Sequence, residues 1–280
     1  MKNFYHLFLF VFFLSNCGSI DHSMSSIKGL GFSENGKNLA LLFGSPQNLP
    51  GVKTDIAELN KVLIDPQFNF HFKTVTDDQA TKSKILETTS KGVKNIDSLF
   101  WYYSGHGAGG SLDTGTGFLS FYEVASAIKK ARGNVPLKRL LVFVDACESG
   151  HIVDGDAQII NESEWVKKTL YEPLLKERDG KLYQQAFVMA SSQKNEGSAD
   201  LGAEYGGAFT YSLRMSLAEI RKSNPNATLK ELADITIERT IEESRIDHET
   251  GLPREYYHTP LYKGFPVEEV VNDLVFIYKN

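Results

Sequence analysis

The sequence predicts an α/β fold: a mainly parallel sheet covered by helices on both faces. Three observations predict it. Several apolar runs are continuous rather than alternating, the pattern of strands buried on both faces. The stretches between them carry apolar residues at helical spacing. The two kinds of segment alternate along the chain, as in sheets built from strand–helix–strand units.

The elements follow in order. Leu39–Phe43 (LALLF) reads as a buried strand, and Val52, Ile56, Leu59 and Leu63 then recur on one helical face. Phe70–Val75 is a second strand and Thr81–Val93 a polar helix. Leu99–Tyr103 (LFWYY) is a third strand, followed by a helix over Phe121–Ala131. Leu140–Val144 (LLVFV) and Ala186–Ala190 (AFVMA) are two more buried strands. Phe209, Leu213, Leu217 and Ile220 share a helical face, and Asn224-Pro225 ends that helix. Thr228 and Glu231 form a capping box for a last helix reaching about Ser244. Leu274–Tyr278 (LVFIY) reads as a final strand. Asp154–Gln184 is long and charged, with one helix expected around Trp165–Leu175, and reads as an insertion between two strands.

Composition narrows the function classes. With 41% apolar and 23% charged residues the chain is globular rather than disordered. A net charge of −5 gives no reason to expect nucleic acid as a partner. Two cysteines, Cys17 and Cys147, support neither a disulfide framework nor a four-thiolate zinc site.

The first cysteine belongs to an address. Phe4–Leu14 is an apolar run behind Lys2, too short for a comfortable membrane span and typical of a signal peptide. It ends Leu14-Ser15-Asn16-Cys17, which resembles a bacterial lipobox, with Asn16 where Gly, Ala or Ser is usual. That resemblance implies removal of residues 1–16, lipid on Cys17, and export to a membrane-anchored position facing the periplasm or the cell surface. Residues 17–37 read as a tether and 38–280 as the folded body.

Sheets of this class hold ligands at the carboxyl ends of their strands. Ser104-Gly105-His106-Gly107 follows LFWYY, and Asp145-Ala146-Cys147-Glu148-Ser149-Gly150 follows LLVFV. A lone cysteine usually packs as a small apolar group. Here a histidine and a cysteine both stand just beyond a strand, flanked by glycines, which favours a thiolate nucleophile with an imidazole to manage its proton.

Those two blocks resemble the signature blocks of caspase-like cysteine peptidases, particularly metacaspases and their bacterial relatives. They stand 41 residues apart, close to the roughly 50 of caspases. Leu49–Leu63, Ala190–Asp200, Gly207–Leu213 and His258-Thr259-Pro260 extend the resemblance over about residues 38–262. It implies a three-layer α/β/α sandwich around a six-stranded, mostly parallel sheet. It implies Cys147 as nucleophile, His106 as general acid and base, and the N–H groups of Gly107 and Cys147 as the oxyanion hole. It also implies an S1 pocket of Asp55, Ser104 and Asp145, whose carboxylates would favour a cationic residue. No arginine stands at these positions, such as caspases proper use to hold an aspartate. The expected activity is therefore an endopeptidase that cuts protein or peptide substrates after Arg or Lys.

The insertion lies where this family often cleaves itself, and Lys167, Lys168, Lys176, Arg178 and Lys181 would suit such self-cleavage. Many metacaspases carry an acidic calcium cluster. Asp113, Asp154 and Asp156 are too scattered to make one, so activity without a cofactor is expected. The competing readings are a caspase-fold lipoprotein that binds without turnover, and a legumain-like peptidase specific for Asn or Asp, whose cysteine block is similar.

Overall fold

The computed structural model describes residues 38–64, 70–154, 183–224 and 227–265. Six strands form the main sheet: β1 (Asn38–Ser45), β2 (His71–Thr76), β3 (Ser98–Gly105), β7 (Leu137–Asp145), β8 (Tyr183–Ala190) and β9 (Leu261–Phe265). Their order is β2-β1-β3-β7-β8-β9. The first five run parallel, and β9 is antiparallel to β8. Three short strands, β4 (Gly107–Ala108), β5 (Ser111–Asp113) and β6 (Phe118–Ser120), make a small antiparallel sheet just after β3. The sequence reading did not separate them, because strands this short carry no periodic signal.

Side-chain alternation along the strands sorts the core into two layers. Ala40 and Leu42 of β1, Phe100 and Tyr102 of β3, and Leu141 and Phe143 of β7 face one way. They pack against α1 (Gly51–Leu63), α5 (Ala208–Ser223) and α6 (Leu229–Ser244). The intervening residues face α2 (Lys82–Gly92) and α3 (Phe121–Arg132). Trp101 marks that side, with its ring edge-on to Phe121 at 5.5 Å and its N–H donated to Thr89 at 3.3 Å. A short α4 (Gly150–Asp154) follows β7. The architecture is thus the expected α/β sandwich with helices on both faces.

Phe100, Phe143, Phe187 and Tyr262 line up across four neighbouring strands at centroid distances of 4.8, 5.9 and 5.6 Å, the first and last pairs stacked and the middle pair tilted. This row attaches the edge strand β9, a strand the sequence reading missed. LYKGF carries Lys263 and Gly264, which break the apolar run, and an edge strand paired on one side tolerates such residues. The expected strand at Leu274–Tyr278 lies outside the described residues, as do the insertion between Gly155 and Leu182 and the whole segment before Asn38. β8 begins at Tyr183, so the last two residues assigned to the insertion belong to the sheet. Among the described residues no helix is long and apolar enough to cross a membrane.

The chain leaves β1 toward β2 on one side and returns to β3 on the other, so the direction of winding reverses at β1. The crevice that opens at such a reversal lies at the carboxyl ends of the strands. The loops after β1, β3, β7 and β8 all meet there.

Candidate active site

Register places His106 and Cys147 at one end of the sheet. Ser104 of β3 pairs with Asp145 of β7, and the pleat puts both strand ends level. Two residues further along each strand stand His106 and Cys147. Both line one cavity of about 100 Å³, together with Asp55, Ser104, Asp145 and Asp200.

Cys147 is half-buried, and its sulfur accepts the Ser198 N–H at 3.3 Å, which sets the direction of Sγ. Ser191 fixes the turn before it: its hydroxyl accepts the Ala146 N–H and donates to the Ala146 carbonyl, both at 3.1 Å. His106 Nε2 lies 3.1 Å from the Gln47 carbonyl. A carbonyl only accepts, so Nε2 carries the proton and Nδ1 is left as the basic nitrogen. Gln47 and Asn48 have φ of 28° and 76°, an unusual left-handed turn. The Gln47 side chain steadies it by donating to Ser45 Oγ and to the Asp113 carbonyl, at 2.9 and 2.7 Å. Tyr103 holds the His106 loop from below, its hydroxyl donating to the Asp113 and His106 carbonyls.

Gly107 faces Leu112 across the small sheet. The flanking bond runs from the Asp113 N–H to the His106 carbonyl, so this is the non-hydrogen-bonded type of pair. The Gly107 N–H therefore points away from the ladder. A Cβ at Gly107 would stand 2.6 Å from the Cys147 carbonyl oxygen, so only glycine lets the two loops come this close.

The acidic residues close the other end of the cavity. Asp55, buried in α1, accepts the Ser104 hydroxyl at 2.6 Å and the Gly207 N–H at 2.8 Å. Asp145, also buried, accepts the Ser198 hydroxyl at 2.6 Å, and the N–H and hydroxyl of Thr210 at 3.1 and 2.7 Å. Because Thr210 donates to Asp145, the Tyr102 hydroxyl at 2.5 Å must donate to Thr210. Burial pushes the Asp55 carboxyl well above its ordinary pKa, and the neighbouring Asp145 charge adds to the rise. Gly207 sits between the two acids, where a Cβ would come within 2.2 Å of Asp145 Oδ2.

The comparisons with known proteins bear on this geometry. The family model for the caspase domain matches residues 37–252. The chain belongs to the caspase domain family. That family comprises cysteine peptidases. A solved structure of caspase-1 from Spodoptera frugiperda matches with a TM-score of 0.57 over 83% of this chain and 88% of the other, at 16% identity. A likeness at that identity speaks for the fold. No curated protein matches in sequence.

Every expected site residue among the described ones, namely His106, Cys147, Gly107, Asp55, Ser104 and Asp145, falls at this one end of the caspase-fold sheet. Cys17 lies outside the described residues. Sequence reasoning missed Gln47, although Ser45-Pro46-Gln47-Asn48 is a run of turn-forming residues directly after a strand. It also missed Asp200, a third carboxylate on the cavity wall, held by the Gly51 and Gly202 N–H groups at 3.3 and 2.8 Å. Asp113, one of the three acids judged too scattered for a calcium cluster, accepts the Gly115 N–H at 2.9 Å. Among the described residues no group of three or more His, Cys, Asp or Glu has an arrangement that would hold a metal ion.

Proposed function

We propose that this caspase-family chain is a cysteine endopeptidase that cleaves after Arg or Lys. The observation that carries the reading is the sharing of one small cavity by a cysteine, a histidine and two buried carboxylates. In the reaction, Cys147 Sγ attacks the scissile carbonyl carbon as its proton passes to His106 Nδ1. The carbonyl oxygen becomes an oxyanion, which accepts the N–H groups of Gly107 and Cys147. His106 then gives its proton to the leaving amine, and the C–N bond breaks to leave a thioester on Cys147. The released peptide departs past His106, which also borders a second, wider recess of about 470 Å³. Water, deprotonated by His106, attacks the thioester, frees the new carboxylate and restores the thiol.

Specificity follows from the chemistry of the pocket floor. The aliphatic stem of Arg or Lys would lie against Leu49 and Val52, with its charged head at Asp55 and Asp145. A carboxylate offers about four acceptor positions. Two are taken on Asp55 and three on Asp145, which leaves room for a cationic donor to bind both. An acidic side chain would meet like charge. Fluorogenic peptides ending in Arg, Lys, Asp or Asn before the reporter test the reading. Turnover of the Arg and Lys peptides only, lost in Cys147→Ala and His106→Ala, is the expected result. Preference for Asp or Asn would refute the acidic-pocket argument.

The signal-like segment supports export, with lipid on Cys17 holding the peptidase domain at a membrane surface. Labelling with a radioactive fatty acid, retained in Cys147→Ala and lost in Cys17→Ser, tests that part.

A further inference from the structure

Glu148, the residue after the nucleophile, has φ of 54°, a left-handed conformation that a non-glycine residue keeps only when its surroundings hold it. Its carbonyl accepts the His151 N–H at 3.4 Å, and two further contacts hold it here. Its N–H donates to the Glu196 carbonyl at 2.8 Å. Its carboxylate Oε2 accepts the Gly109 N–H at 2.6 Å. Gly109 stands two residues beyond Gly107, in the loop that carries His106. The Glu148 side chain therefore ties the histidine loop to the cysteine loop.

The tie acts where the main sheet no longer can. β3 ends at Gly105 and β7 at Asp145, so no ladder bond joins the chain at Gly107 to the chain at Cys147. Yet one oxyanion donor belongs to each of these two segments, and a displacement of one against the other separates the donors. Two features fix the spacing instead. The bare Gly107 backbone sits close against Cys147, and Glu148 holds Gly109 from the cysteine side.

We infer that Glu148 is a positioning residue that keeps the Gly107 and Cys147 N–H groups at their working separation. The inference rests on the cysteine-peptidase reading of the site. Its left-handed backbone aims the side chain back across the crevice, and what the site requires there is an acceptor oxygen rather than a charge.

Three variants test this. Glu148→Gln keeps an acceptor oxygen. Glu148→Ala removes it. Glu148→Gly removes it too, but adopts the left-handed backbone without strain, so it isolates the side-chain bond from backbone distortion and protects against a misfolded Ala variant. The expected result is a fall in kcat of about tenfold or more for Ala and Gly at little-changed KM, with Gln within about threefold of wild type. Alkylation of Cys147 by iodoacetamide, which forms no oxyanion, keeps its rate in all three. Amide hydrogen exchange at Gly109 speeds up in Ala and Gly and not in Gln. Wild-type kcat in Glu148→Gly, or Gln as impaired as Ala, would overturn the inference. So would unchanged exchange at Gly109 in the Ala variant. Turnover by wild type reports separately on the peptidase reading, since the exchange measurement needs no substrate.

Discussion

Gly107 shows what one atom decides at this site. A methyl group there would meet the Cys147 carbonyl oxygen at 2.6 Å and Ala146 Cβ at 2.9 Å, both held on short backbone. Gly107→Ala must push the two loops apart, and with them the two N–H groups proposed as oxyanion donors. Loss of one such donor costs about 10²–10³ in kcat. The expected outcome is a fall of that size with KM nearly unchanged and a Tm lowered by about 2–4 °C for each kcal/mol of the strain, read from steady-state kinetics and a melting curve. Asp55 carries the opposite trade. Its folded pKa lies above the ordinary 3.8, so in the interval between the two the folded chain holds a proton that the unfolded chain releases. Stability therefore falls as pH rises through that interval, and the cost is present at neutral pH. Asn at this position keeps an oxygen for the Gly207 N–H and carries no charge. Asp55→Asn is predicted to raise Tm at neutral pH, by about 2–4 °C for each kcal/mol regained, while kcat/KM for Arg and Lys peptides drops. A lowered Tm with intact Arg turnover would contradict both halves of this account.

At the scale of elements, legibility followed the number of neighbours an element has. β1, β3, β7 and β8 are buried on both faces, so their runs are continuous and stood out in the sequence. Edge strand β9 and the three strands of two or three residues carry mixed or minimal patterns and did not. Capping chemistry was readable because it is local. Thr228 accepts the Glu231 N–H at 3.1 Å, and the Glu231 carboxylate accepts the Thr228 N–H at 2.7 Å. The same box at Ser120 and Glu123 starts α3. Thr228→Ala is expected to cost about 1 kcal/mol in urea denaturation. Its peptidase activity should be unchanged, since α6 starts away from the cavity-lining residues. The site was legible as far as it consists of residues just beyond buried strands. Gln47 and Asp200 escaped because their role depends on which loops the sheet order brings together, and that order is a long-range property.

At the scale of the whole molecule, a residue more than a hundred positions downstream supports the turn that carries Cys147. His258 is fully buried, and its Nδ1 lies 2.6 Å from the Ser191 carbonyl, whose residue brackets Ala146 next to Cys147. Its Nε2 is buried without a hydrogen-bond partner among the described residues. Burial lowers the His258 pKa below 6.5, against the opposing pull of Asp145 and Glu196. In the interval beneath 6.5 the unfolded chain binds a proton that the folded chain does not, so this residue makes stability fall as pH falls. Asp55 works in the other direction. His258→Gln should therefore flatten the decline of Tm between about pH 7 and pH 5, and an unchanged slope would contradict the assignment.

The central claim is that the caspase-fold crevice joins a Cys147–His106 pair to an acidic pocket. It is tested most directly by digesting an unbiased peptide library with the protein and sequencing the new carboxyl termini. Ends of Arg and Lys alone, absent with Cys147→Ala, are predicted. Ends of Asp or Asn, or no cleavage by a folded wild-type chain, would contradict it.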